Sequence, residues 1–190
     1  MLQPNEQWMW ELDGTGRLTL DLGDDMLFQT PYKKRFLSEI IQQHAISFSL
    51  EDASFYEGFI EALSAYPQWS TGEKVQLALN ATAVKGFYKP LIPKSWFYQT
   101  NPSPSYAELP QCSLVRLQTK VESGNCIVID DTDNVVTTLL LDTNLQIDDH
   151  NDIKQFEVIK VMKDRVFETI DLLTNSEQFS PSEKRVARAC

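Results

Sequence analysis

The sequence predicts an α+β fold, with a mixed α/β region first and a small antiparallel β meander after it, of the kind that closes into a barrel. Three observations carry this. The run RLTLDL at 17–22 alternates leucine with polar residues, the period of a half-buried strand. Two later segments open on helix-capping patterns and then repeat apolar residues at helical spacing. After residue 110 the texture changes to short β-branched runs separated by turn-forming residues.

In chain order, QWMWEL alternates around Trp8 and Trp10, and Asp13-Gly14-Thr15-Gly16 supplies turn chemistry. With RLTLDL, which places Leu18, Leu20 and Leu22 on one face, this reads as a hairpin. Gly23-Asp24-Asp25 is a second turn, MLFQT (26–30) a third strand, and KKRFLSEIIQQH (33–44) one helical piece. Ser49 with Asp52 makes a capping-box start for a helix carrying Phe55, Phe59, Ile60 and Leu63, closed by Pro67. Ser70-Thr71-Gly72-Glu73 is a full capping box, opening a helix with Val75, Leu79 and Ala83 on one face. Gly86 and then Pro90 end it, since proline lacks an amide hydrogen and disfavours helical geometry in the residue before it.

QTNPSPSYAELP (99–110) holds three prolines and several small polar residues, the composition of an exposed linker. Beyond it SLVRLQTKV, NCIVID, NVVTTLLLD and NLQID read as strands. FEVIKVMKDRVFETI (156–170) carries both periods and is left between strand and helix. The expected organisation is an α/β domain over 1–98, a linker over 99–110, a β-barrel-like domain over 111–170 and a flexible tail over 171–190.

The bulk numbers narrow the function. The chain has 190 residues and a net charge of −10. No basic start precedes an apolar run, and no stretch approaches the roughly 18 apolar residues of a membrane span, so a cytoplasmic protein without membrane insertion is expected. Cys112, Cys126 and Cys190 form no C-x-x-C pair, and His44 and His150 lie far apart; no metal site is expected. The acidic run at 130–134 lacks the glycine and terminal glutamate of a calcium loop and reads as a hairpin turn. No local nucleophile–base pair and no phosphate-binding glycine motif occurs, so neither catalysis nor a cofactor is expected. The charge is segregated. Residues 26–38 and 74–107 contain no acid yet hold seven of the 17 basic residues, leaving ten to face 27 acids elsewhere. Such a field repels nucleic acid. A small-ligand or nucleic-acid module in the C-terminal β domain is the alternative, and the acids of that half weigh against nucleic acid.

GFYKPLIPKSWF (86–97) lies inside the longer acid-free window. Pro90 and Pro93 stiffen it, with Lys89, Lys94, Leu91, Ile92 and Trp96 alongside. It reads either as a connector with core aromatics or as a low-entropy surface for an apolar, acidic peptide.

These residues also carry a resemblance. W-x-W at Trp8 and Trp10, LTLDLGDDMLF at 18–28, LNATAVKGFYKPLIPKSW ending at Trp96, and VIKVMKDR at 158–165 are similar to ZapC, a family of cytoplasmic cell-division proteins of gammaproteobacteria. The likeness covers most of 1–165 and is stronger before residue 98. It implies a binding protein that contacts polymers of the tubulin-like GTPase FtsZ directly at the midcell ring and promotes lateral association of protofilaments. It implies an N-terminal α/β domain followed by a twisted β-barrel-like domain. It also implies an apolar pocket in the first domain and lysines of the K-P-x-x-P-K run, here Leu20, Lys89 and Lys94. Phe28 and Trp96 join this partner-binding set from the residue reading alone.

Overall fold

A computed structural model describes residues 2–104 and 109–169; the tail expected over 171–190 lies outside them. The N-terminal hairpin pairs β1 (Met9–Leu12) with β2 (Arg17–Asp21), and β3 (Leu27–Lys33) and β4 (Ile46–Ser47) complete an antiparallel sheet of order β3-β2-β1-β4. The first turn is built by Asp13, whose carboxylate accepts from the amides of Thr15 and Arg17 at 2.8 and 2.9 Å. Gly16 takes φ 75° there. These bonds, the one from Arg17 foremost, bring the Asp13 pKa down to about 2. Pro31 sits on β3, an edge strand, where a missing amide hydrogen is tolerated.

KKRFLSEIIQQH does not form one helical piece. It splits into a 3-10 turn at Lys34–Phe36 and a short helix α1 (Glu39–Gln43). The break falls at Leu37 and Ser38 because their backbone is pulled into pairing with the end of the third helix: Leu37 bridges Tyr88, and the Ser38 amide donates to Phe87 O at 2.8 Å. Helices α2 (Leu50–Ser64) and α3 (Thr71–Phe87) both carry complete capping boxes, at Ser49/Asp52 and Ser70/Glu73. Helix α3 runs through Gly86 and ends at Tyr88, which is extended.

The second sheet contains β5 (Leu114–Gln118), β6 (Ser123–Thr132), β7 (Val135–Leu140), β10 (Val158–Met162) and β11 (Val166–Glu168), in the order β10-β7-β6-β5-β11, all antiparallel. A ribbon of β8 (Asn144–Gln146) and β9 (Asp152–Lys154) accompanies it. The ambiguous run after Phe156 is therefore strand, a 3-10 turn at Lys163–Arg165, then strand. The sheet curls into a half-barrel. Residues 94–101 run from one edge of it toward the other: Lys94 N–H donates to Lys160 O on β10 (2.9 Å), Gln99 N–H to Gln118 O on β5 (2.7 Å), Asn101 N–H to Asp164 O in the 3-10 turn (2.7 Å), and Asn101 Nδ2 to Val166 O on β11 (2.8 Å). The acidic run 130–134 is the β6–β7 hairpin, with Asp133 at φ 48°.

Helix α3 is the spine. From Leu77 to Val84 every residue is buried, including Asn80 and Thr82, as expected of a helix covered on all sides. On one side lies the first sheet with Trp8, Trp10, Leu18 and Leu20; on the other lies β6. Strand β6 is buried on both faces. Ile127 and Ile129 join the core around α3, while Cys126 and Val128 face the interior of the half-barrel with Val115, Leu117 and Val161. That two-sided burial is why NCIVID reads as a continuous apolar run.

Candidate partner-binding surface

Pro90 and Pro93 hold the chain extended after α3, and the backbone then lies against the 3-10 turn at Lys34–Phe36. The Lys89 amide donates to Phe36 O at 2.9 Å, and Lys89 Nζ donates to Arg35 O at 3.4 Å across 54 residues of sequence. The two acid-free windows thus form one surface. An aromatic row joins them. The Arg35 guanidinium sits 4.5 Å over the Phe36 ring, Phe36 stacks on Tyr88 at 6.0 Å, and Tyr88 meets Tyr32 edge-on at 5.6 Å. Burial keeps the phenols of Tyr32 and Tyr88 neutral by raising their pKa values.

Next to this row is a depression of about 290 Å³. Its floor holds Val84, Leu91 and Val158, and its rim Lys85, Lys89 and Lys160. Lys85 is engaged, 2.8 Å from Asp130 and 5.4 Å from the Phe55 ring centroid. Among the described residues Lys89, Lys94 and Lys160 make no ion pair. An apolar floor with lysines at its rim suits an acidic segment carrying apolar side chains. Lys94 is exposed farther along the strap, followed by Trp96, 67% exposed and tilted against Phe97 at 5.5 Å. Ile92 is 80% exposed. Large apolar side chains left in water beside lysines that make no ion pair are the composition that contact surfaces share.

Of the residues singled out from sequence, Lys89, Lys94 and Trp96 lie on the one stretch 89–96, Lys89 at the depression and both Lys94 and Trp96 outside it. Phe28 is half-buried and lines a second depression between β3 and α3. Leu20 is wholly buried, opposite Trp10 on β1 and Phe28 on β3, so it backs Phe28 rather than facing solvent. Phe156 lines the depression of Phe28 and Val158 that of Lys89, so the start of β10 separates the two. Sequence reasoning left Arg35, Phe36, Tyr88 and Lys160 out of the set. The triplet Lys33-Lys34-Arg35 was the available sign for the first of these.

Comparison with known proteins decides the family. The model for the N-terminal region of the cell-division protein ZapC matches residues 1–89, and that for its C-terminal region matches 90–171. The chain belongs to the ZapC family. Cell division protein ZapC of Pseudoalteromonas translucida is 37% identical over 169 residues, covering 87% of this chain and 93% of the relative. The ZapC proteins of Shewanella woodyi and Aeromonas hydrophila are each 38% identical, covering 87% of this chain and 91% of theirs. ZapC proteins are cell-division proteins. Among the described residues no helix is long and apolar enough to cross a membrane, and no three His, Cys, Asp or Glu side chains converge as metal ligands.

Proposed function

We propose that the chain binds FtsZ polymers directly at the midcell ring and promotes lateral association of protofilaments, using the surface formed by Lys89, Lys94 and Trp96 with Arg35 and Lys160, and Phe28 beside it. Family membership supports this reading, and one structural observation carries it. Two acid-free windows far apart in sequence meet as one basic and aromatic surface on an acidic body. An acidic polymer would be repelled by the body and drawn to this face, which favours one docking orientation. Contacts across exposed lysines weaken with salt, because the Debye length is about 8 Å at physiological ionic strength.

Polymer co-sedimentation tests it. Lys89→Glu with Lys94→Glu reverses two charges at exposed positions and is expected to abolish co-sedimentation without changing the thermal midpoint. Wild-type binding is expected to fall between low and high salt. Undiminished co-sedimentation of the folded double variant would remove this face from the interaction.

A further inference from the structure

The first sheet ends on an open edge. Strand β3 has β2 on one side and, among the described residues, no strand on the other. Leu22 N–H donates to Met26 O at 2.9 Å, and the register then pairs Asp21 with Leu27 and Leu20 with Phe28. Bonding alternates along an antiparallel ladder, so Phe28 turns its backbone groups to β2, whereas Leu27 and Gln29 turn theirs outward. The far end of the strand is protected: Pro31 has no amide hydrogen, and the Tyr32 amide donates to Thr30 Oγ1 at 3.2 Å. Its near end is not, and Met26 and Leu27 are 47% and 57% exposed there. An unpaired edge with apolar side chains is a template for another strand. The second depression, about 400 Å³, lies along this edge. Residues 27–31 all line it, and five neighbours that point to alternate faces share a depression when it follows the margin of the strand. Gln76 and Asn80 of α3 contribute to its wall, so strand and helix bound one groove. That wall holds Arg17 and no acid, on a chain of net charge −10.

We propose that this edge takes an extended, acidic segment of the partner polymer as an added strand, whose backbone pairs with Leu27 and Gln29. Each of these two residues offers an amide hydrogen and a carbonyl, spaced for an extended backbone and not for a helix. Every second side chain of an added strand points to the same side, and those on the α3 side find Phe28 and Phe156 in the wall. Charge sets the rest of the segment and its direction. Arg17 stands opposite Lys33 in the register, with Lys34 and Arg35 next in the chain, whereas Asp24 and Asp25 precede the strand. Acidic residues therefore suit the Lys33 end. That end runs directly into the turn that carries Arg35, so the edge and the lysine surface are continuous. The identity of the segment rests on the FtsZ reading, to which the edge adds backbone pairing beside the salt-dependent contact.

The test uses the full chain with FtsZ polymers. Amide hydrogen exchange is compared between free and co-sedimented chain, on proteolytic fragments that span β3. The Leu27 and Gln29 amides are expected to exchange rapidly in the free chain and about tenfold more slowly once most of it is bound. Gln29→Pro removes an outward amide hydrogen without taking a donor from the ladder with β2. Gln29→Ala is its control, since both variants lose the side-chain contact to Asp13. Gln29→Pro is expected to bind polymer at least about tenfold more weakly than Gln29→Ala, at low and high salt alike. If Gln29→Pro does not fold, the exchange measurement decides alone. Unchanged exchange of the β3 amides in bound chain, or equal binding by the two folded variants, would overturn the added strand and leave the FtsZ reading standing. Wild-type chain that does not co-sediment removes both. Undiminished binding of the Lys89→Glu, Lys94→Glu variant removes the lysine surface and leaves the edge standing.

Discussion

Ile129→Ala asks whether the two sheets unfold as one body. Ile129 is 2% exposed on β6 and belongs to the core around α3, whereas its neighbour Val128 faces the half-barrel interior. The substitution removes three buried carbon groups, worth about 0.8 kcal/mol each in transfer, and leaves a cavity whose walls relax only in part. The expected loss is about 2–4 kcal/mol, which for a chain of this size lowers the thermal midpoint by roughly 5–15 °C. Two probes follow the unfolding in urea. In a Trp69→Phe, Trp96→Phe background tryptophan fluorescence reports Trp8 and Trp10 in the core of the first sheet, and thiol labelling in a Cys112→Ser, Cys190→Ser background reports Cys126 inside the half-barrel. Because α3 and β6 share one core, both probes are expected to shift to lower urea by the same amount with an unchanged slope. If Cys126 becomes reactive while the tryptophan transition stays put, the halves unfold independently and the shared core does not couple them.

Three further outcomes follow from the geometry. The Asp13 carboxyl is expected to titrate near pH 2; since its folded pKa lies below the unfolded value, its stabilisation is present above about pH 4 and fades as pH falls to 2, so Asp13→Ser should destabilise at neutral pH and match wild type below pH 2. Ser49→Ala removes the acceptor for the Asp52 amide and should cost about 1 kcal/mol in denaturant unfolding. Burial pushes up the thiol of fully buried Cys126, so it should not label at neutral pH until the chain opens, and its rapid labelling in folded protein would contradict the packing; the half-buried Cys112 thiol, pushed up to about 11, should label more slowly than a free thiol.

Much of the fold was legible because it rests on local chemistry. Both capping boxes form as spelled out by Ser49-x-x-Asp52 and Ser70-x-x-Glu73, and the leucines of RLTLDL occupy one buried face. What escaped was decided by distant partners. No local pattern splits 33–44 at Leu37 and Ser38, because the hydrogen bonds that do so come from Phe87 and Tyr88. The same pairing brings the basic windows together, so their charge was readable and their adjacency was not. The run after Phe156 carried both periods, and pairing with β7 and β5 settled it as strand. Asn80 lies off the face that Val75, Leu79 and Ala83 mark, and it is buried because the helix is covered on more than one side.

The strap at 94–101 also sets a timetable for synthesis. It leaves the ribosome before any strand of the second sheet, yet its anchors come much later: Ser95 accepts from Met162, 67 residues on, and Asn101 donates to Val166, 65 residues on. Until those residues emerge, the strap has only its own 3-10 turn and, through Gln99, the end of β5 for partners. Loops of this span close slowly compared with helix formation, so α2 and α3 form first and the half-barrel closes around the strap last. A nascent chain that stops short of residue 160 lacks the bonds from Lys94 to Lys160 and from Met162 to Ser95 that hold Lys94 and Trp96 in place. Lys94 and Lys160 are therefore placed late, after the part of the face built by Lys89, Arg35 and Phe36, and the whole face exists only once β10 has emerged.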